Sequence, residues 1–218
     1  RAFLPAIGFA IAVWLIAGAG ALFLQRIRAG SAPLAQTMRL ALSLPGATMG
    51  LIIGHASMGV CVAGIVAMSA FATEETKMLA PGESFTLAGF EVALEDVAIV
   101  AGPNYEAERA TFAISRGERE LARLSSERRY YPVRGQETTE AGIRTNPLVN
   151  FYIALGENRD GRHVVRAYVH PLAPMIWLGA LGMAGGGILS LTDRRFRLGA
   201  RSKAPDRTAP ASVPLPAE

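Results

Sequence analysis

Cysteine is nearly absent from this chain of 218 residues, and the single one, Cys61, lies inside an apolar run. That excludes an intramolecular disulfide, a CxxC redox pair and a CxxC-type haem-attachment motif. Charge is also scarce, at 18% of residues against 50% hydrophobic, a balance tilted towards membranes. The chain has no HExxH, no GxSxG and no phosphate-binding glycine loop, so an independent hydrolase finds no support. Tryptophan occurs only at Trp14 and Trp177, and histidine only at His55, His163 and His170.

What is present first is length without charge. Phe3 to Leu24, Ala47 to Phe71 and Pro171 to Leu191 contain no Asp, Glu, Lys or Arg, and each falls within the roughly 17 to 25 residues that span a bilayer. The connection 25–46 carries Arg26, Arg28 and Arg39 with no acid, and "DRRFRLGARSK" after the third run is equally basic. Both read as cytoplasmic, which puts 73–170 on the other face. That segment holds 15 acidic and 12 basic residues. The net charge of +4 is therefore a topology signal and not a nucleic-acid footprint. The chain starts at Arg1, and its first apolar run begins at once, longer than a secretory signal core. It is expected to be the carboxy-terminal part of something longer.

The outer segment has the period of strands. "FEVALEDVAIV", "ATFAISRG", "LVNFYIALG" and "HVVRAYVH" alternate, separated by "PGES", "AGPN", "RGE" and "GENRDG". Phe90, Val92 and Leu94 share one face, as do Phe112 with Ile114 and Phe151 with Ile153 and Leu155. The expected fold is an integral membrane protein: transmembrane helices in 1–24, 47–71 and 171–191, a cytoplasmic loop 25–46, and an inserted extracytoplasmic β-rich domain 73–170, barrel or sandwich-like. The tail 192–218, basic and then rich in Pro and Ala, is expected to be cytoplasmic and disordered. Gly46, Gly50 and Gly54 recur every four residues, as do Gly182 and Gly186, a spacing that allows close helix approach in lipid.

Within "LIIGHASMGVCVAGI", His55 is an ionisable side chain at membrane depth, where such groups are costly and usually turned towards a bundle interior or cavity. Three readings stand: a neutral imidazole bonded to a neighbouring helix, a proton relay, or a metal or haem ligand. Gly54 and Gly59 would leave room for a flat macrocycle. Met58, one turn away, reads as packing, and so does Cys61.

The helix around His55, "APGESFTLAGFEV", "AGPNYEAERATFAISRG", "RRYYPVRGQETTEAGI", "NFYIALGE" and "YVHPLAPMIWLGALGMAGGGILSLTDRRFR" occur in order and together cover most of Met49 to Arg197. In these stretches the chain resembles the carboxy-terminal third of the CcmF family of cytochrome c-type biogenesis proteins, the haem lyase component of cytochrome c maturation. The resemblance implies a protein of the bacterial inner membrane that handles haem and assists its attachment to apocytochrome c on the outer face. It implies partners in apocytochrome c, a haem chaperone and other maturation proteins. It also implies that His55, at the matching position, is an axial ligand to the iron of a non-covalent b-type haem whose second ligand comes from outside this chain. The local wording "GHASMG" departs from the family's usual "AHLG". The family's tryptophan-rich haem-handling motif lies upstream of the matching region, so this chain is expected to be one part of a haem lyase. The runner-up is a structural membrane subunit that scaffolds maturation proteins without touching haem. His163, after "NRDG", reads as an exposed strand residue, and His170 as a residue of the membrane boundary. Arg128, Arg129 and Arg134 around "YYPV" read as a solvated strand face.

Overall fold

The computed structural model describes residues 3–193; the expectations for the tail fall almost entirely outside them. Three long helices match the three uncharged runs: α1 (Phe3–Arg26), α3 (Gly46–Phe71) and α4 (Ala173–Leu191), with mean hydropathies of 2.3, 2.0 and 1.5. A shorter helix, α2 (Leu34–Leu42), lies in the connection after α1.

α3 is the middle helix. On one side Gly59 lies so close to Ala12, Leu15 and Ile16 of α1 that a Cβ there would meet the Ala12 carbonyl oxygen at 2.8 Å. On another it runs antiparallel to α4 along a seam of small residues. A Cβ on Gly186 would fall 2.6 Å from the Gly50 carbonyl oxygen, and one on Gly179 would fall 2.6 Å from Cys61 Cβ. The glycine spacing thus does bring two backbones together, as small-residue faces do in lipid. Gly54 departs from that expectation: a Cβ on it would meet nothing within 4 Å. At the far end the Ala47 amide donates to Asp193 Oδ2 at 2.9 Å. A carboxylate here satisfies an orphan amide at the positive end of the α3 dipole.

Between α3 and α4 the chain builds nine antiparallel strands in two sheets. β1 (Thr73–Leu79), β9 (Arg162–Pro171), β8 (Val149–Arg159) and β7 (Gly142–Thr145) form one, in that order. β2 (Ser84–Leu87), β3 (Phe90–Ala101), β4 (Glu106–Arg116), β5 (Arg119–Tyr131) and β6 (Gln136–Glu140) form the other. The sheets close on one core in which Leu94, Phe112, Ile114, Ile153, Leu155 and Val165 are fully or almost fully buried. Each such side chain contributes about 1.5–3 kcal/mol through removal from water. This is a sandwich of the sort the alternating runs predict. Ser126 ties the layers: its hydroxyl donates to the Glu140 carbonyl at 2.7 Å and accepts from the Leu155 amide at 2.9 Å.

The two membrane-length helices flanking the domain leave it side by side, because β1 and β9 pair with Thr73 opposite Val169. The third apolar run does not begin as a helix. β9 continues through Pro171, and Leu172, in a left-handed conformation (φ 55°), donates its amide to the Leu148 carbonyl at 2.7 Å before α4 starts. Strand pairing takes the first residues of the run because Pro171 is opposite Val149 in the ladder.

Candidate functional site

On α3 the residues Leu51, His55 and Met58 follow a spacing of four and three, which places them on one face. That face is exposed among the described residues, with Leu51 and Met58 each 48% accessible and His55 between them. The packing already described explains this, since α1 and α4 occupy other sides of α3.

His55 is held by its own helix. Nδ1 lies 2.9 Å from the Leu51 carbonyl oxygen. A carbonyl can only accept, so Nδ1 donates this bond, and in the neutral imidazole that leaves the lone pair on Nε2. A backbone bond at one ring nitrogen that frees the other is the arrangement used by metal-ligating histidines.

Two grooves flank the imidazole. One, of about 220 Å³ between α1 and α3, is lined by Trp14, Leu15, Gly18, Leu22, Leu51 and His55. The other, of about 420 Å³ between α3 and α4, is lined by Gly54, His55, Met58, Met183, Gly187 and Ser190. Gly54 thus opens space beside the ring, whereas Gly59 is spent on the α1 contact. Among the described residues no three His, Cys, Asp or Glu side chains gather as a metal site. His55 is the one side chain of those types lining either groove. The donor, the room and the apolar walls fit one face of a macrocycle; Met58 and Met183 stand close enough to line it.

The other candidates lie apart. His163 is buried, at 4% exposure, contrary to its reading as an exposed strand residue. It shares the inward side of β9 with Val165, Ala167 and Val169, a parity the alternation of "HVVRAYVH" already carried. Its Nε2 lies 3.3 Å from Asn158 Nδ2, while Nδ1 has no hydrogen-bond partner. His170 is partly buried near the end of β9 and stacks on Tyr168 with ring centroids 5.6 Å apart. Tyr168 in turn donates to Glu74 at 2.9 Å, and this bond raises the phenol's pKa.

The arginines of the second sheet divide. Arg134 is exposed. Arg128 pairs with Glu137 at 2.6 Å, and Arg129 bonds Glu127 at 2.7 Å while covering the Tyr105 ring at 4.5 Å. Glu127, buried at 7% exposure, also accepts from Arg109 at 2.5 Å. Its carboxyl lies below the usual glutamate range, chiefly through the Arg129 hydrogen bond and then Arg109, with burial opposing. Sequence reasoning missed this three-residue cluster, because Arg109 reaches Glu127 only when β4 pairs with β5.

Comparison with known proteins bears on both the domain and the helices. The family described as "CcmF C-terminal beta-sandwich" matches residues 70–171. The cytochrome c-type biogenesis protein CycK of Rhizobium meliloti is 36% identical over 198 residues, which cover 90% of this chain and 29% of that protein. Its counterpart ccl1 of Rhodobacter capsulatus is 38% identical over 194 residues, 88% and 29% of the respective lengths. CcmF of Escherichia coli is 33% identical over 165 residues, 75% and 25%. A solved structure titled Cytochrome c Heme Lyase CcmF shares the fold, with a TM-score of 0.64 at 15% identity over 88% of this chain and 34% of that one. The chain therefore spans less than a third of the length of these curated relatives. A sandwich held between membrane-length helices, matched over most of its length by these proteins, places this membrane protein in the CcmF/CycK/Ccl1 family of cytochrome c biogenesis proteins, where it corresponds to the carboxy-terminal portion.

Proposed function

We propose that this chain forms part of the cytochrome c maturation haem lyase and that His55 supplies one axial ligand to a non-covalent b-type haem within the membrane. The observation that carries this reading is the Nδ1 bond to the Leu51 carbonyl, which leaves Nε2 as a donor on an exposed helix face with a groove on either side. A haem held there would supply a redox-active iron whose potential is tuned by its axial ligands. The chain's own part is to present Nε2 in one tautomer, to flank the ring with apolar walls, and to keep the Gly54 side open. The second ligand comes from outside this chain. The sandwich lies on the outer face of the bacterial inner membrane, where apocytochrome c, the haem chaperone and other maturation proteins meet it.

The test is haem content and reduced-state absorption per folded protein, in the membrane-assembled maturation complex containing this chain. His55→Ala removes the nitrogen donor without adding bulk. It is expected to lose most of the haem or to shift its spectrum while the protein still inserts, and added imidazole should restore part of the signal. Unchanged occupancy with an unchanged spectrum would overturn ligation and leave His55 as a packing residue in a scaffold subunit.

A further inference from the structure

We propose that α2 lies in the plane of the membrane surface as an anchor on anionic lipid, on the side where α1 ends and α3 begins. Eight of its nine residues divide around the helix into three strips, with Ala35 exposed between the first and the third. Leu34, Met38 and Leu42, four residues apart, form one strip and are 77%, 60% and 89% exposed. Thr37, Leu40 and Ala41 form a second and are half-buried. Gln36 and Arg39 form the third, which is exposed and polar. α2 buries none of its residues completely.

A helix this short is marginal in water without an apolar partner, and the leucine and methionine strip has none among the described residues. What covers it is indicated by position and charge. α2 sits in the connection between Arg26, the last residue of one membrane-length helix, and Gly46, the first of the next, separated from the one by seven residues and from the other by three. Both ends of the connection are therefore held at the level where hydrocarbon gives way to headgroups. Arg26, Arg28 and Arg39 lie in or beside this connection, and 25–46 contains no acid. An amphipathic helix with apolar residues on one strip and arginine on another binds in the interface, with acyl chains under the first and anionic headgroups near the second. The partner is thus the anionic surface of the same bilayer that α1 and α3 cross.

The test uses the whole chain in lipid nanodiscs, with Cys61→Ala removing the native thiol and single spin labels at Met38→Cys, Leu42→Cys or Gln36→Cys. Collision with oxygen reports acyl chains, and collision with a water-soluble nickel chelate reports solvent. Labels at 38 and 42 are expected to favour oxygen and the label at 36 to favour nickel. In discs of phosphatidylcholine alone, nickel collision at 38 should rise about two-fold or more relative to discs containing phosphatidylglycerol, since each arginine near the surface adds to the attraction. Nickel reaching 38 as freely as 36 in the anionic discs overturns the anchor. Protection of 38 from both reagents means that protein covers the strip, and equal depth in the two lipids overturns the anionic-lipid assignment.

Discussion

An imidazole bonded to the carbonyl one turn back has its free nitrogen aimed by the helix itself, so space beside it decides what it can meet. Gly54 supplies that space, because a Cβ there would touch nothing within 4 Å. Gly54→Ala should therefore leave haem content near that of the parent protein. Gly54→Leu, filling the groove between α3 and α4, should lower haem per protein severalfold with little change in thermal stability. Haem absorbance and unfolding measured on the same preparations check both. At the same scale, Glu127 links stability to pH. Two arginines hold its folded pKa below the ordinary value of about 4.5. A lowered pKa means that the unfolded chain binds the proton more readily, so this stabilisation is present above about 4.5 and is lost as pH falls through the folded value. Glu127→Gln should remove that part of the acid sensitivity and cost about 1 kcal/mol, below the roughly 1.5–3 kcal/mol usual for bonds to a charged group, because Arg109 is 44% exposed and water screens it. Melting curves at pH 7 and pH 4 should separate the parent from the variant at the higher pH and bring them closer at the lower.

At the scale of elements, the α3–α4 seam leaves little tolerance. A Cβ on Gly186 would press on the Gly50 carbonyl and on the Gly54 amide at 2.9 Å, and backbone cannot swing aside as a side-chain tip can. Gly186→Ala should force the helices apart at a cost of about 1–3 kcal/mol, the usual penalty of overpacking. Gly187→Ala meets open space and should be neutral or slightly stabilising through helix propensity. Unfolding in detergent, read as loss of ellipticity at 222 nm, distinguishes the two. The glycine period was legible in "GATMGLIIG" and "GALGMAGGG", but its phase was not. Gly54 keeps the period of Gly46 and Gly50 and its backbone still meets Gly186, yet only a known crossing point shows that its own Cβ direction points off the seam, which continues through Ser57, Cys61 and Gly64.

For the molecule as a whole, the arginines predict direction. Placing 73–170 outside the cytoplasm and 25–46 inside satisfies every charged connection, and the pairing of β1 with β9 then sets the whole sandwich at one membrane surface between two neighbouring helices. Alkaline phosphatase fused after Gly102 should be active, and fused after Ser31 inactive, in cells expressing the chain. The reverse pattern would invert the topology and detach the sandwich from the face where cytochromes c acquire haem.

Uncharged length, arginine asymmetry and two-residue alternation are properties of neighbours along the chain. Hence the three long helices, the side each connection favours and the β-rich nature of the insert could be read from the sequence by itself. His55 stood out on the same ground, as the one histidine in three apolar runs free of Asp, Glu, Lys and Arg. Tertiary structure alone decided what depends on distant partners: that β9 rather than β2 pairs with β1, and that Arg109 on β4 reaches Glu127 and Arg129 on β5. It also decided that His55 faces outward between two grooves, since a helix of nearly uniform hydrophobicity carries no amphipathic signal to say which side its neighbours will cover. Only the glycine contacts with α1 and α4 break that symmetry, and they arise from the fit of three helices together.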